Sequence, residues 1–330
     1  MNVLITGSGG FVGSHLVDEY LRRGYTVSVI VRKETTFRWI DSNKVIVYKG
    51  RYDDASFLEK AVKSQDIIIH SAGVLASTSY EGFYKGNVDV TKNLLKAISI
   101  ANPNIKRFVH ISSLAVALPS PSLENPTNEE TINQEPLTKY GKSKLEAEKV
   151  VHSFMEKIPI TIVRPPAIYG PRDEAIFDYF RLIAKGFIAP IMGFDSKKMS
   201  LIHIHDLVRG IYEACQTERT LSQTYYLTSK EFYTWMDIIN ATKIAVKKQF
   251  ILPIPLPHFA ILLNGYLSTF IGRLKKKPPV FDIEKAKNFT QRHWICSHKK
   301  ALNDFHFEQK ISLQEGIQQT MDWYKNNGWL

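Results

Sequence analysis

The first thirteen residues constrain the fold of this chain more than any other segment. The apolar run Val3-Leu4-Ile5 predicts a short buried strand, and a helical pattern begins near Phe11, one loop later. The loop carries Gly7, Gly10 and Gly13 at intervals of three residues. Such glycines permit a tight turn, a close approach of the backbone to a pyrophosphate, and a helix N-terminus aimed at negative charge. We therefore predict a dinucleotide-binding unit at the start of the chain.

Apolar runs alternate with helical patterns through the first half of the chain. The apolar runs fall at residues 2–6, 26–31, 45–48, 67–70, 107–111 and 160–163, and the helical patterns at 11–23, 54–63, 83–101 and 138–157. This alternation is typical of a Rossmann-type, doubly wound parallel sheet, so the predicted fold class is α/β. The regular repeat stops after Arg164, where the sequence becomes rich in proline.

The change of pattern predicts two domains in the 330 residues. We expect residues 1–170 to form the nucleotide-binding domain, with residues 201–227 returning to it. Residues 171–200 and 228–330 are expected to form a smaller C-terminal substrate-binding lobe.

Tyr140 and Lys144 stand one helical turn apart, so their side chains are expected to share a helix face. Oxidation of a secondary alcohol removes a proton from oxygen while hydride leaves carbon. A tyrosine can take that proton if a nearby ammonium lowers its pKa from about 10. Ser113, at the end of a predicted strand, can hold the substrate oxygen within reach of both. We predict these three residues as the catalytic group.

The composition argues against several functional classes. The formal net charge is +11, but the cations are spread along the chain and no basic–aromatic motif for nucleic acid is visible. The charge fits attraction to an anionic cofactor, substrate or membrane surface. The two cysteines, Cys215 and Cys296, lack metal-type spacing, so we expect neither a metal site nor a disulfide framework. We expect a cytoplasmic, reducing compartment, with no signal peptide ahead of the first strand.

Residues 251–274 form the most apolar stretch of the chain, and a basic run at 273–277 ends it. Three prolines in its first third, with His258 and Asn264, make it a poor transmembrane span. Two interpretations stay open. The preferred one is a buried helix of the second lobe. The other is an interfacial helix that caps an apolar pocket and brings residues 251–277 to a membrane surface.

Several motifs at matching intervals resemble the extended short-chain dehydrogenase/reductase superfamily, over nearly the whole chain. Beyond the glycine loop and the Ser-Tyr-Lys group, they are DIIIHSAG at 66–73, GNVDVTKNLL at 86–95, VHISS at 109–113, RPPAIYGPRD at 164–173 and SLIHIHDLVRGI at 200–211. The resemblance implies an NAD(P)-dependent enzyme that acts on CH–OH groups of a small molecule.

Two branches of that superfamily compete for this chain. NDP-sugar epimerases and dehydratases usually have Val-Tyr-Gly after the catalytic serine and an asparagine shortly after the residue that is here Arg164. This chain has Leu114-Ala115-Val116 and Pro165-Pro166 at those places. The sequence is closer to 3β-hydroxysteroid dehydrogenases, sterol dehydrogenases and dihydroflavonol reductases, which implies a steroid/sterol-like or flavonoid-like substrate. An NDP-sugar enzyme stays as the alternative, and a non-catalytic NADP-binding scaffold is a third hypothesis.

The resemblance also assigns residues to roles. The implied cofactor contacts are Gly7, Gly10, Phe11, Val12, Gly13, Ser71, Ala72, Gly73, Tyr140, Lys144 and Pro166. Asn87 is either a catalytic residue that anchors a water in the proton path or a structural hydrogen-bonding group. The outer faces of the helices that carry Asn87 and Tyr140 are candidate surfaces for a homodimer.

The end of the second predicted strand bears on the choice of cofactor. NAD sites place a carboxylate there for the ribose hydroxyls, whereas a cation accommodates the 2′-phosphate of NADP. This chain has Arg32 and Lys33 at that point, and no acidic residue occupies the strand end. We therefore predict NADP(H), with NAD(H) as the alternative.

Overall fold

The structure is a computed structural model that describes residues 1–32, 37–131, 135–193, 197–275, 279 and 281–330. Its strands are β1 (Asn2–Thr6), β2 (Thr26–Val31), β3 (Ile46–Lys49), β4 (Ile67–His70), β5 (Arg107–Ile111), β6 (Ile160–Val163), β7 (Ala167–Tyr169), β8 (Ile188–Met192), β9 (Lys198–Met199), β10 (Leu201–His203), β11 (Gln223–Tyr225), β12 (Leu252–Leu256) and β13 (His293–Trp294). Its helices are α1 (Phe11–Arg22), α2 (Ala55–Val62), α3 (Tyr80–Tyr84), α4 (Val90–Ala101), α5 (Lys139–His152), α6 (Phe177–Lys185), α7 (Ile204–Cys215), α8 (Trp235–Ala245), α9 (His258–Leu274), α10 (Ile283–Thr290), α11 (Lys299–Phe305) and α12 (Leu313–Asn326).

Seven parallel strands form the central sheet, in the order β3-β2-β1-β4-β5-β6-β11. The first six strands follow the order of doubly wound dinucleotide-binding folds. Strands are added in opposite directions on either side of the β1–β4 pair, so a crevice opens at the carboxyl ends of these two strands. The predicted α/β fold class is confirmed.

Alternate residues of β1 face two different helix layers. Val3 and Ile5 belong to a core cluster with residues of α1 and α7, whereas Leu4 belongs to one with residues of α2 and α4. All three side chains are fully buried. A parallel strand buried on both faces needs an unbroken apolar run, which explains why short apolar segments predicted the strand bounds closely.

The helix predicted at 83–101 begins earlier and is interrupted. α3 starts at Tyr80, where the Ser79 side chain accepts a hydrogen bond from Gly82 N. A π-helical turn at Lys85–Asp89 then separates α3 from α4. Turns of this kind are frequent at functional sites, and this one carries Asn87.

The helix predicted at 138–157 is α5, which ends at His152. Its start is fixed by Thr138, whose Oγ1 accepts a hydrogen bond from Gly141 N at 3.0 Å. After His152 the chain turns, and Phe154 and Met155 pack onto the core cluster of α2 and α4. This turn explains why the helix is shorter than predicted.

The second lobe is built from short elements. Its strand pairs are β7 with β10, β8 with β12, and β9 with β13. α6, α8 and α12 bury a cluster that includes Phe180, Trp235 and Tyr324. The predicted domain bounds stay a prediction, and one detail differs from them: Ala301 and Phe307 pack on the layer of α1 and α7 rather than on the second lobe.

α9 lies within the apolar stretch 251–274. Its buried positions, such as Ile261 and Gly265, are on one side only, and the other side is exposed. The preferred prediction of a buried helix is therefore wrong for most of its apolar residues. None of the helices in the described ranges combines the length and apolar character that crossing a bilayer requires.

Candidate active site

The glycine loop after β1 is pressed against two other segments. Gly7 has φ +70°, and a Cβ there would lie 2.7 Å from backbone atoms of Ser71 and Ala72. A Cβ on Gly13 would lie 2.1 Å from the carbonyl oxygen of Gly7. Only glycine fits at these two positions without displacing the backbone.

The start of α1 is open to an anion. Gly10 N donates to Gly7 O at 3.0 Å, which closes the turn just before the helix. Gly10 has no side chain, so it makes no side-chain hydrogen bond to the N–H groups in the first turn of α1. A loop without Cβ atoms followed by a helix N-terminus fits the pyrophosphate of a dinucleotide.

The segment after β4 forms the other wall of the crevice. Ala72 N donates to Thr6 Oγ1 at 3.1 Å, which ties this segment to the end of β1. A Cβ on Gly73 would lie 2.9 Å from Asn87 Oδ1, so this glycine also permits a close contact. The structure therefore brings Ser71, Ala72 and Gly73 together with the glycine loop.

Tyr140 and Ser113 meet where α5 packs on the loop after β5. Gly141 makes this packing close, because a Cβ there would lie 2.1 Å from the Ala115 carbonyl oxygen. Burial raises the pKa of Tyr140 to about 12, and its hydrogen bond with Ser113 acts in the opposite direction. Tyr140 is therefore a protonated phenol at neutral pH.

Lys144 is buried one turn further along α5. Its Nζ donates to the Ile111 carbonyl oxygen at 2.6 Å. Burial lowers the pKa of Lys144 to about 8, while the Glu148 carboxylate raises it. Glu148 is itself held by a buried ion pair, with 2.5 Å between its Oε2 and Arg164 Nη2. With its ammonium directed at the Ile111 carbonyl oxygen, Lys144 lies on the same helix as Tyr140, and its lowering of the Tyr140 pKa stays a prediction.

Asn87 connects the crevice wall to α5. Its Oδ1 accepts from Val74 N at 2.7 Å, and its Nδ2 donates to Val74 O at 3.2 Å and to Ser143 Oγ at 2.8 Å. Ser143 in turn donates to the Tyr140 carbonyl oxygen at 2.8 Å. These hydrogen bonds engage both polar atoms of the Asn87 amide, and both predicted roles of Asn87 stay predictions.

Arg32 is exposed directly after β2, at the edge of the crevice. It lies close enough to Tyr52 for its charge to lower the pKa of that phenol, although burial, the larger effect, raises it. Lys33, the second cation predicted at this point, lies outside the described residues.

A cavity of about 250 Å³ lies against Ser113. It is lined by Ser113, Leu114, Ala115, Pro166, Ala167, Lys197, Lys198, Met199, Ser200, Trp235, Asn288, Phe289, Gln291 and Trp294. Pro166, predicted as a cofactor contact, is among the residues that line this cavity.

The aromatic lining of the cavity was not predicted from the sequence. Trp235, Phe289 and Trp294 come from α8, α10 and β13, which are separate in the chain. Each residue alone is consistent with ordinary core packing, so only the folded arrangement identifies them. Within the described residues, no group of His, Cys, Asp and Glu side chains could hold a metal ion.

The chain is similar to known enzymes over its full length. It is 29% identical to a ceramide reductase of Caulobacter vibrioides, covering 99% of this chain and 96% of the relative. It is 26% identical to a decarboxylating sterol-4-alpha-carboxylate 3-dehydrogenase of Candida albicans, and the match covers 98% of this chain and 97% of the relative. Its fold matches a UDP-glucose 4-epimerase from Thermotoga maritima with a TM-score of 0.79, at 20% identity and 99% coverage of both chains.

The family follows from a match over about two thirds of the chain. The family described as the NAD dependent epimerase/dehydratase family matches residues 3–227, which include the glycine loop, Ser113, Tyr140 and Lys144. The predicted resemblance is confirmed, including the branch that contains sterol dehydrogenases. The chain is an oxidoreductase that acts on CH–OH groups, and it belongs to the NAD-dependent epimerase/dehydratase family.

Proposed function

We propose that this enzyme interconverts a secondary alcohol and a ketone on an apolar, lipid-like or polycyclic substrate, with NADP(H) as its cofactor. The observation that carries the substrate class is the cavity beside Ser113. Three large aromatic side chains, Trp235, Phe289 and Trp294, line it together with Leu114 and Met199. Burial of a hydrocarbon ligand against such a wall stabilises the complex by about 25 cal/mol for each Å² of apolar surface removed from water.

The size of the cavity fits the reacting end of a longer molecule. Ligand pockets commonly enclose about 300–1,000 Å³, and this cavity measures about 250 Å³. The carbon that bears oxygen would lie near Ser113, and the rest of the substrate would extend outside. The ceramide reductase and the sterol dehydrogenase named above support this substrate class, because both names denote long or polycyclic lipids.

The catalytic roles follow from the positions of three side chains. Ser113 would hold the substrate oxygen, and the protonated Tyr140 would donate a proton to a carbonyl oxygen in the reducing direction. Lys144, close behind them, would hold the nicotinamide ribose. The bound nicotinamide supplies or accepts the hydride.

The cofactor preference rests on Arg32. An exposed guanidinium after the second strand accommodates a 2′-phosphate. We expect NADPH to bind at least about tenfold more tightly than NADH, the equivalent of about 1.4 kcal/mol. Arg32→Ala should remove that difference, as measured by fluorescence titration of both cofactors, while Arg22→Ala, a change of an exposed arginine on α1, should not. Equal affinities in the unaltered protein would contradict the preference.

A nucleotide sugar is the second candidate substrate, because Lys197 and Lys198 line the same cavity. Their cationic groups donate to backbone carbonyls of Phe289 at 2.6 Å and Phe232 at 3.4 Å. Two arginines suited to a diphosphate are already paired with carboxylates. Arg172 contacts Asp18 at 2.7 Å, and Arg181 contacts Asp178 at 2.7 Å. The apolar substrate is therefore the better-supported candidate.

A substrate panel separates the two candidates. Oxidation of NADPH should be measured with 3-ketosteroids, a 3-keto-sphingoid lipid and a flavanonol-type ketone in detergent, and NDP-hexoses should be tested for epimerisation. We expect turnover with an apolar ketone, and a KM raised about tenfold by Trp294→Ala, which removes cavity wall. Trp323→Ala, a change away from the cavity, should leave KM unaltered. Turnover confined to NDP-hexoses would contradict the proposal.

A further inference from the structure

We propose that α9, with the adjoining edges of β8 and β12, is a docking surface for an anionic lipid bilayer. The inference deepens the proposed function and rests on it in one respect, because a bilayer is where an apolar lipid substrate would be dissolved. The docking surface itself depends only on the exposure, charge and packing of α9 and its neighbours.

α9 exposes its large apolar side chains instead of burying them. Their exposed fractions range from 48% to 72%. These residues are Phe259, Leu263, Tyr266, Leu267, Phe270, Ile271 and Leu274. Because they recur at helical spacing over the 17-residue helix, they form one stripe along it. A stripe of this length on a water-soluble surface indicates an interaction site.

A second exposed apolar patch lies on the strand pair just before α9. Leu252 on β12 pairs with Ile188 on β8, and both side chains are nearly half exposed. Their neighbours Phe187 and Phe250 are exposed by 68% and 61%. Since only Pro257 separates β12 from α9, the patch and the stripe belong to one region of the chain.

The positive charge of this region indicates an anionic binding partner. Between Asp237 and Asp282 the sequence has seven Lys or Arg residues and no Asp or Glu. Lys275 follows the stripe directly, and Lys248 lies 4.9 Å from the ring centroid of Phe187 beside the patch. Cations next to an exposed apolar stripe are complementary to anionic headgroups above acyl chains. A second copy of the chain would instead bring two sets of cations together.

The docking surface is connected to the substrate cavity through α10. α9 and α10 pack closely, because a Cβ on Gly265 would lie 2.6 Å from Ala286 Cβ. Thr269 Oγ1 also accepts a hydrogen bond from Ile283 N at 2.9 Å. The end of α10 supplies Asn288 and Phe289 to the cavity. A bilayer bound at α9 would therefore be one helix away from the cavity.

Vesicle co-sedimentation tests the docking surface without any substrate. The full chain would be mixed with vesicles of phosphatidylcholine, with and without phosphatidylglycerol, at low and high salt. The test variant is Leu263→Gln/Leu267→Gln/Phe270→Gln. The matched control is Ile46→Gln, because Ile46 is 49% exposed on β3, at the far edge of the sheet. Circular dichroism of each variant would check that it is folded.

We expect the unaltered chain to sediment with the phosphatidylglycerol vesicles, and less so at high salt. The triple variant should bind about a thousandfold more weakly, at roughly tenfold for each of the three lost apolar anchors, and the control should bind normally. Turnover of the triple variant on a detergent-dispersed ketone should be unchanged. Binding without any turnover would overturn only the proposed function. Absent binding, equal binding by the triple variant, or a dimer that the triple variant abolishes would overturn the docking surface.

Discussion

Burial has the largest effect on the pKa of Tyr140. Its pKa is raised to about 12 because the phenolate would lose solvation, and the hydrogen bond with Ser113 opposes this only in part. A protonated phenol hydrogen-bonded to Ser113, which lines the cavity, is suited to donate a proton to a carbonyl oxygen.

Tyr140→Phe should lower kcat by roughly 10²–10⁴-fold, because only the proton-transferring oxygen is removed. Cofactor affinity should stay within about twofold, since the ring and its packing are retained. Single-turnover measurement with NADPH and a responsive ketone would determine the rate. The matched control is Tyr226→Phe, because Tyr226 and Lys230 share the Tyr-x-x-x-Lys spacing but lie after β11. Full activity of Tyr140→Phe would exclude Tyr140 as the proton donor.

At the level of residues, the sequence predicted the groups whose spacing carries chemistry. Tyr140 and Lys144 were predictable because four residues on a helix place side chains on one face. Lys198, Trp235 and Trp294 were not, because they meet only when β9, α8 and β13 pack together. Their positions are set by contacts between elements far apart in the chain, which a local pattern does not encode.

α5 is the element on which the site depends. Its first turn is capped by Thr138 and lies against Ala115 O through Gly141. This contact sets the distance between Tyr140 on the helix and Ser113 on the loop. Because α5 packs against the loop through a glycine, even the methyl group of an alanine would change its position.

Gly141→Ala should move α5 away from the loop, because its Cβ would lie 2.1 Å from Ala115 O. We expect a loss of stability of about 1–3 kcal/mol and a fall in kcat/KM of about a hundredfold from misplacement of Tyr140. Urea unfolding and steady-state kinetics would measure the two effects. Lys142→Ala, an exposed change in the same turn, should leave both nearly unaltered. Normal activity of Gly141→Ala would show that the contact does not position Tyr140.

Elements buried on both sides were the most predictable from the sequence. β1 and β4 match their apolar runs because both strands are buried on both faces of the sheet. The buried polar residues at their carboxyl ends, Thr6 and His70, are hydrogen-bonded to each other at 2.8 Å. The exposure of α9 was not predictable in the same way. An apolar helix has the same composition whether it faces the core or a bilayer, and only its packing on α10 shows which side is left open.

At the scale of the whole molecule, residues 170–173 connect the two halves. Arg172, at φ 70°, pairs with Asp18 on α1 at 2.7 Å. From the other half, the Tyr324 hydroxyl on α12 donates to the Asp173 carbonyl oxygen at 2.8 Å. The Asp173 side chain is buried, and burial raises its pKa to about 6. The connection between the halves therefore contains a carboxylate that is costly to ionise.

The sign of the resulting pH dependence is fixed by this raised pKa. An unfolded aspartate titrates near pH 3.9, so the folded chain binds the extra proton between about pH 4 and pH 6. The Asp173 carboxyl therefore makes its full contribution to the free energy of unfolding below about pH 4. That contribution is lost as the pH rises from about 4 to about 6. Asp173→Asn keeps the Oδ1 acceptor that Ala175 N uses at 2.8 Å and removes the charge.

Asp173→Asn should therefore stabilise the protein at pH 7.5 by about 2 kcal/mol, after allowance for one poorly bonded amide group. The gain should shrink as pH falls through about 6 and vanish below about 4, because the wild-type carboxyl is then neutral as well. Urea unfolding of both proteins at several pH values would measure the difference. Asp178→Asn, a change of an exposed carboxylate paired with Arg181, serves as the control and should show no such trend. A gain at pH 7.5 that persisted unchanged at pH 4 would show that charge burial at the connection is not its cause.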